Sequence, residues 1–505
     1  MGASLATAIP RLRRFILDLA VRGKLVPQDP NDEPASELLQ RIQAKKSKRG
    51  TLELHLADNE LVYELPVGWC TARFEDVFTL EYGDNLPSEK RSNTGEYPVY
   101  GSNGMVGSHF ACFVHSPCII IGRKGSAGAL NLSLTNGCWV TDVAYFCVPP
   151  SGIDLLFSFR MFHTLGLDTL GKGVKPGLNR NEVYMLPIAL PSLAEQRRIV
   201  DKVDELMALC GRLEAAQTER EIRRDRLTAA SLQCLNQATE APALREHARF
   251  YVNHLPRLAT RPKHIRQLRQ TILNLAVRGK LVPQDPHDEP ASELLQRIGA
   301  ERIESEPFCI PTSWAWVCVG KNSDARLGKM LDKEKNKGNP KRYLRNINVR
   351  WFDFDLSNVF EMRFEDSELN EFKLRSGDVL ICEGGEPGRA AVWDDREKNI
   401  YFQKAIHRVR FTDDISPHFF LITLRESVDS GRLSTYFTGV GIKHLTGKGL
   451  NSFAFPLPPL AEQQRIVAKV DELMALCDRL EAQLTTTQIE SQRLLEALLH
   501  QALTP

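Results

Sequence analysis

At 505 residues the chain is too long for a single core, and two domains of roughly 150 residues with connecting elements are expected. Its 42% hydrophobic and 25% charged residues are those of a globular protein, and a net charge of +2 is too small to announce nucleic-acid binding, so any such surface must come from local clustering. The 11 cysteines include no C-x-x-C pair, and their odd number, with no apolar leader, predicts reduced thiols and a cytoplasmic location. No run approaches the roughly 20 apolar residues of a membrane span, so no membrane partner is expected.

In chain order the first element is an Arg-interrupted amphipathic helix, IPRLRRFILDLAVRGK. It leads into LAVRGKLVPQDPNDEPASELLQRI (19–42), which reads as helix, proline-broken turn and helix, with Leu38, Leu39 and Ile42 forming the buried face. The same run returns at 275–298, a shift of 256. LAEQRRIVDKVDELMALCGRLEA (193–215) returns at 460–482, a shift of 267, so the two intervening segments differ in length by 11 residues and share almost no sequence. The repeats divide the chain into an N-terminal helical region (1–48), a first insert (49–190), a central helical spacer (191–302) with a linker at about 236–262, a second insert (303–457) and a C-terminal helix (458–505).

The first insert opens at LPVGW and gives short β-like runs broken by glycine: YPVYGSNGMVG, CIIIGRKGSAGAL and NGCWVTDVAYFCV. It ends in a Gly-Lys element, GKGVK. Runs of this kind predict a mixed α/β domain with much strand. Tyr100, Ser102 and Asn103 offer hydrogen-bonding edges, and Arg123, Lys124 and Ser126 lie among glycines that let the backbone approach a ligand closely; Lys172 and Lys175 add charge near the end. His109, Cys112, His115 and Cys118 recur every three residues, a spacing that alternates faces in a strand and gathers no metal site.

Ser192 and Glu195 form a capping box for a helix of about 40 residues, roughly 60 Å long. Ile199, Val203, Leu206, Cys210 and Leu213 mark its seam at alternating steps of four and three. In the C-terminal copy, begun by Pro458 and Pro459, the seam is Ile466, Val470, Leu473, Cys477 and Leu480. The simplest arrangement packs the two long helices antiparallel, like a coiled coil. Outward-facing positions of the repeats are nearly identical as well, which duplication or two copies of one partner would explain.

The second insert opens at IPTSW and contains RYLRNINVRW, LRSGDVLICEGGEPGRAAVW and YFQKAIHRVRF. Lys329, Arg342, Arg345 and Arg350 belong to a basic concentration, followed by Arg389, Gln403, Lys404 and Arg408, and by Lys443 and Lys448 in the closing GVGIKHLTGKG. Lys and Arg contacts to phosphates would supply affinity, and Arg, Asn and Gln at base edges would supply discrimination. For any one of these residues a solvated surface position is the plainer reading, so the expectation concerns the clusters. The GKG element lacks the Ser or Thr and the first glycine of a phosphate loop, GGEPG lacks dinucleotide spacing, and no N-P-P-[FY] or D-P-P-[FY] methyltransferase motif occurs. The chain reads as non-catalytic, with no cofactor of its own.

These runs resemble the specificity subunit of Type I restriction-modification systems over essentially the whole chain. The duplicated LAVRGKLVPQDPxDEPASELLQRI and LAEQxRIVxKVDELMALC runs carry the resemblance, with YPVYGSNG, GRKGSAGAL, GDVLICEGGEPGRAAVW and FQKAIHRVR. It implies an α+β fold with two target-recognition domains in inverted orientation, each reading half of a bipartite DNA site, and helices that act as a ruler. It also implies two docked methyltransferase subunits using S-adenosylmethionine on adenine, and motor-nuclease subunits using ATP and magnesium. A spacer of about 60 Å exceeds one turn of DNA, roughly 34 Å, which fits separated half-sites on double-stranded DNA. A protein-protein scaffold with two binding modules is the alternative; salt-sensitive duplex binding separates the two.

Overall fold

The computed structural model describes residues 2–47, 63–173, 176–299, 301–304, 307–332, 334 and 336–503. Two compact units emerge, one formed by Met1–Glu221 with Gln488–Pro505 and the other by Ile222–Thr487. Helix and strand are mixed in both, giving an α+β fold.

In the first unit helices Gly2–Val21 and Ala35–Ser47 precede nine strands. These are β1 (Cys70–Arg73), β2 (Glu81–Tyr82), β3 (Tyr97–Gly101), β4 (Gly104–His109), β5 (Cys118–Gly122), β6 (Leu130–Ser133), β7 (Trp139–Val140), β8 (Ala144–Cys147) and β9 (Pro187–Leu190). An antiparallel sheet runs β2-β8-β5-β6, and a second sheet runs β4-β3-β7 with β7 parallel to β3. The central strands β5 and β8 are buried at every position, which is why CIIIG and AYFC read as continuous apolar runs rather than alternating ones. Ile119 and Ile121 of β5 share one core with Phe74, Phe78, Phe157 and Phe162, and the same core takes in Ile9 and Ile16 of the first helix. Leu38, Leu39 and Ile42 are buried in it, as their spacing predicts.

The second unit repeats this plan in β10 (Ala315–Cys318), β11 (Asp324–Leu327), β12 (Asn339–Leu344), β13 (Phe360–Phe364), β14 (Val379–Cys382), β15 (Ala390–Val392), β16 (Tyr401–Phe402), β17 (Ile406–Arg410) and β18 (Ala454–Leu457). Its sheets run β11-β17-β14-β15 and β13-β12-β16, again with one parallel pairing, β12 with β16. Two inserts with almost no shared sequence thus have one strand order. Both are closed the same way, by antiparallel pairing of the first strand with the last: β1 with β9 (Cys70 opposite Leu190) and β10 with β18 (Ala315 opposite Leu457).

A polar lock, also present twice, joins each insert to its long helix. Trp69, just before β1, donates its indole N–H to Glu195 at 3.0 Å, and Gln28 donates to the other carboxylate oxygen at 2.7 Å. Trp314 donates to Glu462 at 2.9 Å, with Gln284 on the second oxygen. Gln196 and Gln463, both fully buried, accept from the backbone N–H of Asp154 and Ser416 at 2.7 Å. Arg198 pairs with Asp32 and Arg465 with Asp288, each at 2.6 Å. Burial pushes the carboxyls of Glu195 and Glu462 above the usual carboxylate range. Gly23 (φ +64°) and Gly279 (φ +66°) abut this lock. A Cβ on either would lie 2.4 Å from Pro66 or Pro311, so both the left-handed backbone and the close approach demand glycine.

Part of the near-identity between the repeats therefore lies in these long-range polar contacts, a reason that sequence periodicity does not expose. The expected capping box is half formed. Ser192 Oγ accepts from Glu195 N–H at 3.0 Å, but the Glu195 side chain turns to Trp69 and Gln28.

The long helices span Leu193–Gln237 (45 residues) and Leu460–Leu503 (44 residues). Their seams are buried within their own units. Ile199, Val203 and Cys210 belong to the first core, with Leu206 packed at its edge, while Leu213 is 47% exposed. Arg13 of the first helix pairs with Glu214 at 2.7 Å. In the second unit Ile466, Val470 and Cys477 cluster with Ile265, Ile272 and Ala276 of helix Pro262–Val277, with Leu473 and Leu480 alongside. There Arg269 reaches Asp478 at 2.5 Å and Glu481 at 2.7 Å. Within each unit the seam positions described above pack into that unit's own core, in the second against the helix Pro262–Val277 that leads into the shorter repeat.

The segment expected to be a linker holds the helix Ala241–Leu258. Tyr251 and Leu258 are buried with Leu232 and Leu235, and Leu244 and Leu255 pack beside them. Its prolines mark ends rather than an absence of helix: Pro242 stands in the first turn, Pro256 in the last, and Pro262 begins the next helix.

Candidate nucleic-acid interfaces

In the first unit three predicted segments converge. The register pairs Gly101 with Gly104, leaving Ser102 and Asn103 as a two-residue hairpin tip with Asn103 exposed. The carbonyls of Ser102 and Ser126 both crowd Gly122, where a Cβ would lie 2.4 and 2.0 Å from them, so the tip rests against the GRKGSAG loop. That loop is laced to the Gly-Lys element: Gly125 N–H donates to Pro176 O at 2.9 Å, and Leu178 N–H to Arg123 O at 2.8 Å. Lys175 lies outside the described residues.

Within this surface Arg123 lies over the Tyr82 ring at 4.8 Å and donates to Asp142 O at 2.9 Å; Arg180 approaches the same ring at 5.1 Å. Lys124 is exposed, 3.8 Å from Asp142 Oδ2. Lys172 pairs with Glu182 at 2.6 Å. Tyr100, partly buried, packs against the small core around Cys118 and Ile120, and burial pushes its phenol up. No local pattern in the sequence marks Tyr82 or Asp142, and the signal for Arg180 is its place just after the Gly-Lys element. Cys112 contacts His115 at 3.2 Å while Cys118 faces Cys138 at 3.7 Å, so the His/Cys series does not converge.

The second unit gathers matching segments. Asn346 donates to Gly384 O at 2.9 Å, Arg389 donates to Asn346 O at 2.9 Å and pairs with Glu386 at 2.8 Å, and Leu445 N–H donates to Glu383 O at 2.8 Å. Arg345 stacks on Phe360 at 3.7 Å and donates to Asn358 O at 3.0 Å. Lys404, Lys443 and Lys448 are exposed. The side-chain oxygens of Asn346 and Gln403 are buried without a hydrogen-bond partner, an unusual state for amide acceptors beside a surface loop.

Two predicted contacts are misplaced. Arg408 is 1% exposed, donates to Glu371 O at 3.0 Å and pairs with Asp324; Lys329 is 8% exposed, pairs with Glu368 and sits 5.1 Å from the Phe364 ring. Both belong to the interior and are not placed to reach a duplex. The basic concentration is also weaker than its count, because Arg342 pairs with Glu397 and Arg350 with Asp355 at 3.2 Å. Clustering in sequence counts charges; it does not reveal the acids that the fold sets against them.

Comparison with known proteins gives consistent findings. The family pattern described as "Type I restriction modification DNA specificity domain" matches residues 66–224 and 326–491. The EcoAI specificity subunit of a Type I restriction enzyme from Escherichia coli is 30% identical, the alignment covering 97% of this chain and 93% of that one. The EcoEI specificity subunit, also from Escherichia coli, is 27% identical over 98% and 94%. A crystal structure of an HsdS subunit from Thermoanaerobacter tengcongensis aligns over 87% of this chain and 98% of that one, at 20% identity and a TM-score of 0.44.

Proposed function

Starting from the fact that this chain belongs to the Type I restriction-modification DNA specificity family, we propose that it is the non-catalytic DNA-recognition subunit of such a system, each insert reading one half of an asymmetric bipartite site. The observation that carries this reading is the twofold construction of the chain. Two domains of one strand order, locked to duplicated helices by the same Trp–Glu–Gln contacts, present loops of different chemistry at matched places. Copies of one domain with different contact residues suit two different half-sites.

In this reading the two inserts are inverted relative to each other and the long helices, coiled-coil-like, set the distance between half-sites and dock two methyltransferase subunits. At about 1.5 Å per residue a 45-residue helix is roughly 67 Å long, about two turns of DNA. The partner subunits carry S-adenosylmethionine for N6 methylation of adenine, and motor-nuclease subunits bring ATP and magnesium for restriction. The chain itself binds no cofactor. Its place of work is the cytoplasm; no described helix is long and apolar enough to cross a membrane.

The test is to assemble the chain with its methyltransferase subunits and map methylated adenines across a genome. A single bipartite motif with a fixed spacer is expected, and its affinity should fall steeply with salt as phosphate contacts are screened. Methylation of an isolated half-site as readily as of the whole would overturn the reading.

A further inference from the structure

The matched loops carry opposite charges at the same backbone positions. Gly128 N–H donates to Gly122 O at 2.8 Å and Gly388 N–H to Cys382 O at 2.9 Å. Leu178 N–H donates to Arg123 O, and Leu445 N–H to Glu383 O, both at 2.8 Å. Arg123 N–H donates to Val143 O, and Glu383 N–H to Ala405 O, both at 2.9 Å. These three bonds put Arg123 and Glu383 in one structural position. The facing turn, between β7 and β8 in one unit and β16 and β17 in the other, likewise matches Asp142 with Lys404. The first unit therefore has a cation on the loop and an anion on the turn, and the second has the reverse.

The surroundings of the two side chains show that the difference is more than a swapped salt bridge. In the first unit the opposite charges are engaged: Arg123 bonds the Asp142 carbonyl and Lys124 nears its carboxylate. In the second, the Glu383 carboxylate has no side-chain hydrogen bond or ion pair among the described residues; the buried His407 feels its charge, and Lys404 stands exposed. An unpaired carboxylate on a surface that must approach phosphates opposes binding unless a donor meets it there. In the major groove the base-edge donors are the exocyclic amines, cytosine N4 and adenine N6, whereas guanine O6 and N7 accept from a guanidinium.

We propose that Arg123 and Glu383 are matched specificity-determining residues that read their half-sites with opposite hydrogen-bond polarity, Arg123 donating to guanine and Glu383 accepting from the N4 amine of cytosine. This rests on the DNA-recognition reading above. Stacking on Tyr82 holds the Arg123 guanidinium in one plane, as bidentate reading of guanine requires. Adenine N6 lies beside the N7 acceptor, which repels a carboxylate, whereas cytosine N4 has no such neighbour, so the position read by Glu383 is a C·G pair.

The test uses the assembled methyltransferase complex on duplexes in which each half-site position is randomised. Glu383→Ala should relax one position of one half-site by roughly tenfold to a hundredfold, at a position where the parent selects a C·G pair, and leave the other half-site unchanged. Arg123→Ala should relax one position of the other half-site, where the parent selects guanine. Unchanged stringency at every position, or relaxation by Glu383→Ala at an A·T pair, would overturn the proposal. If Glu383→Ala abolishes methylation, Glu383→Asp decides: the parental motif methylated more slowly supports it, and a motif relaxed at several positions contradicts it. Failure of the parent complex to select any bipartite motif would instead remove the reading on which the proposal stands.

Discussion

Phe146 and Arg408 occupy one place in two sheets, each on the central strand opposite its neighbour, Ile120 in the first unit and Leu380 in the second. Tyr145 and His407 match in the same way: each reaches the closing segment, the Tyr145 hydroxyl donating to Leu178 O at 3.2 Å and His407 Nε2 meeting Leu445 O at 2.8 Å. The backbone plan is common while the side chains filling it differ, even inside. Around the inserts the opposite holds, for the Trp–Glu–Gln lock and the Arg–Asp pair are chemically the same in both copies. Constraint thus concentrates at the joints between insert and helix, and the inserts are free to vary within a fixed strand order.

Substitutions can break that comparison. The largest effect is expected inside the sheets. Phe146→Ala should cost about 3 to 4 kcal/mol in calorimetric unfolding of the chain, because a buried ring leaves a cavity. Arg408→Met should change stability by less than about 1 kcal/mol, since it exchanges a buried charge for an apolar side chain of similar length and the carboxylate left behind, Asp324, is exposed to water. Equal losses at both positions would show that Arg408 contributes as much as an apolar core residue. At the joints the copies should agree: Gly23→Ala and Gly279→Ala are each expected to lose roughly 1 to 3 kcal/mol and to match within about 0.5 kcal/mol, because the strained φ and the proline contact are the same.

The smallest effect concerns pH. Burial raises the carboxyls of Glu195 and Glu462, so their protonated forms are favoured in the folded chain. Their contribution is fully present below the unfolded carboxylate value, near 4.3, and is lost as pH rises through the higher folded value. Glu195→Gln and Glu462→Gln should each flatten the fall in stability over that window in a melting-temperature series against pH. A steeper fall would contradict the sign.

The limits of sequence reading follow the same division. The two long helices, their starts at Ser192 and Pro459, and the buried face Leu38–Leu39–Ile42 are local patterns, so periodicity reveals them. Glu195 is bound to Trp69, 126 residues away, and no local pattern signals such a contact. FQKAIHRVR looks like a basic strand because sequence cannot show that Arg408 points inward to Asp324 and Glu371. The GRKGSAG loop, the YGSNG hairpin and the Gly-Lys element were each legible as loops, but their convergence depends on strand order, which two unlike sequences share without advertising it.

Exchange of segment 64–190 for the first insert of a family member with a different target, followed by methylome sequencing with the methyltransferase subunits present, tests the modular account most directly. The account predicts a motif with one half replaced and the other half retained. Change in both halves, or in neither, would contradict it.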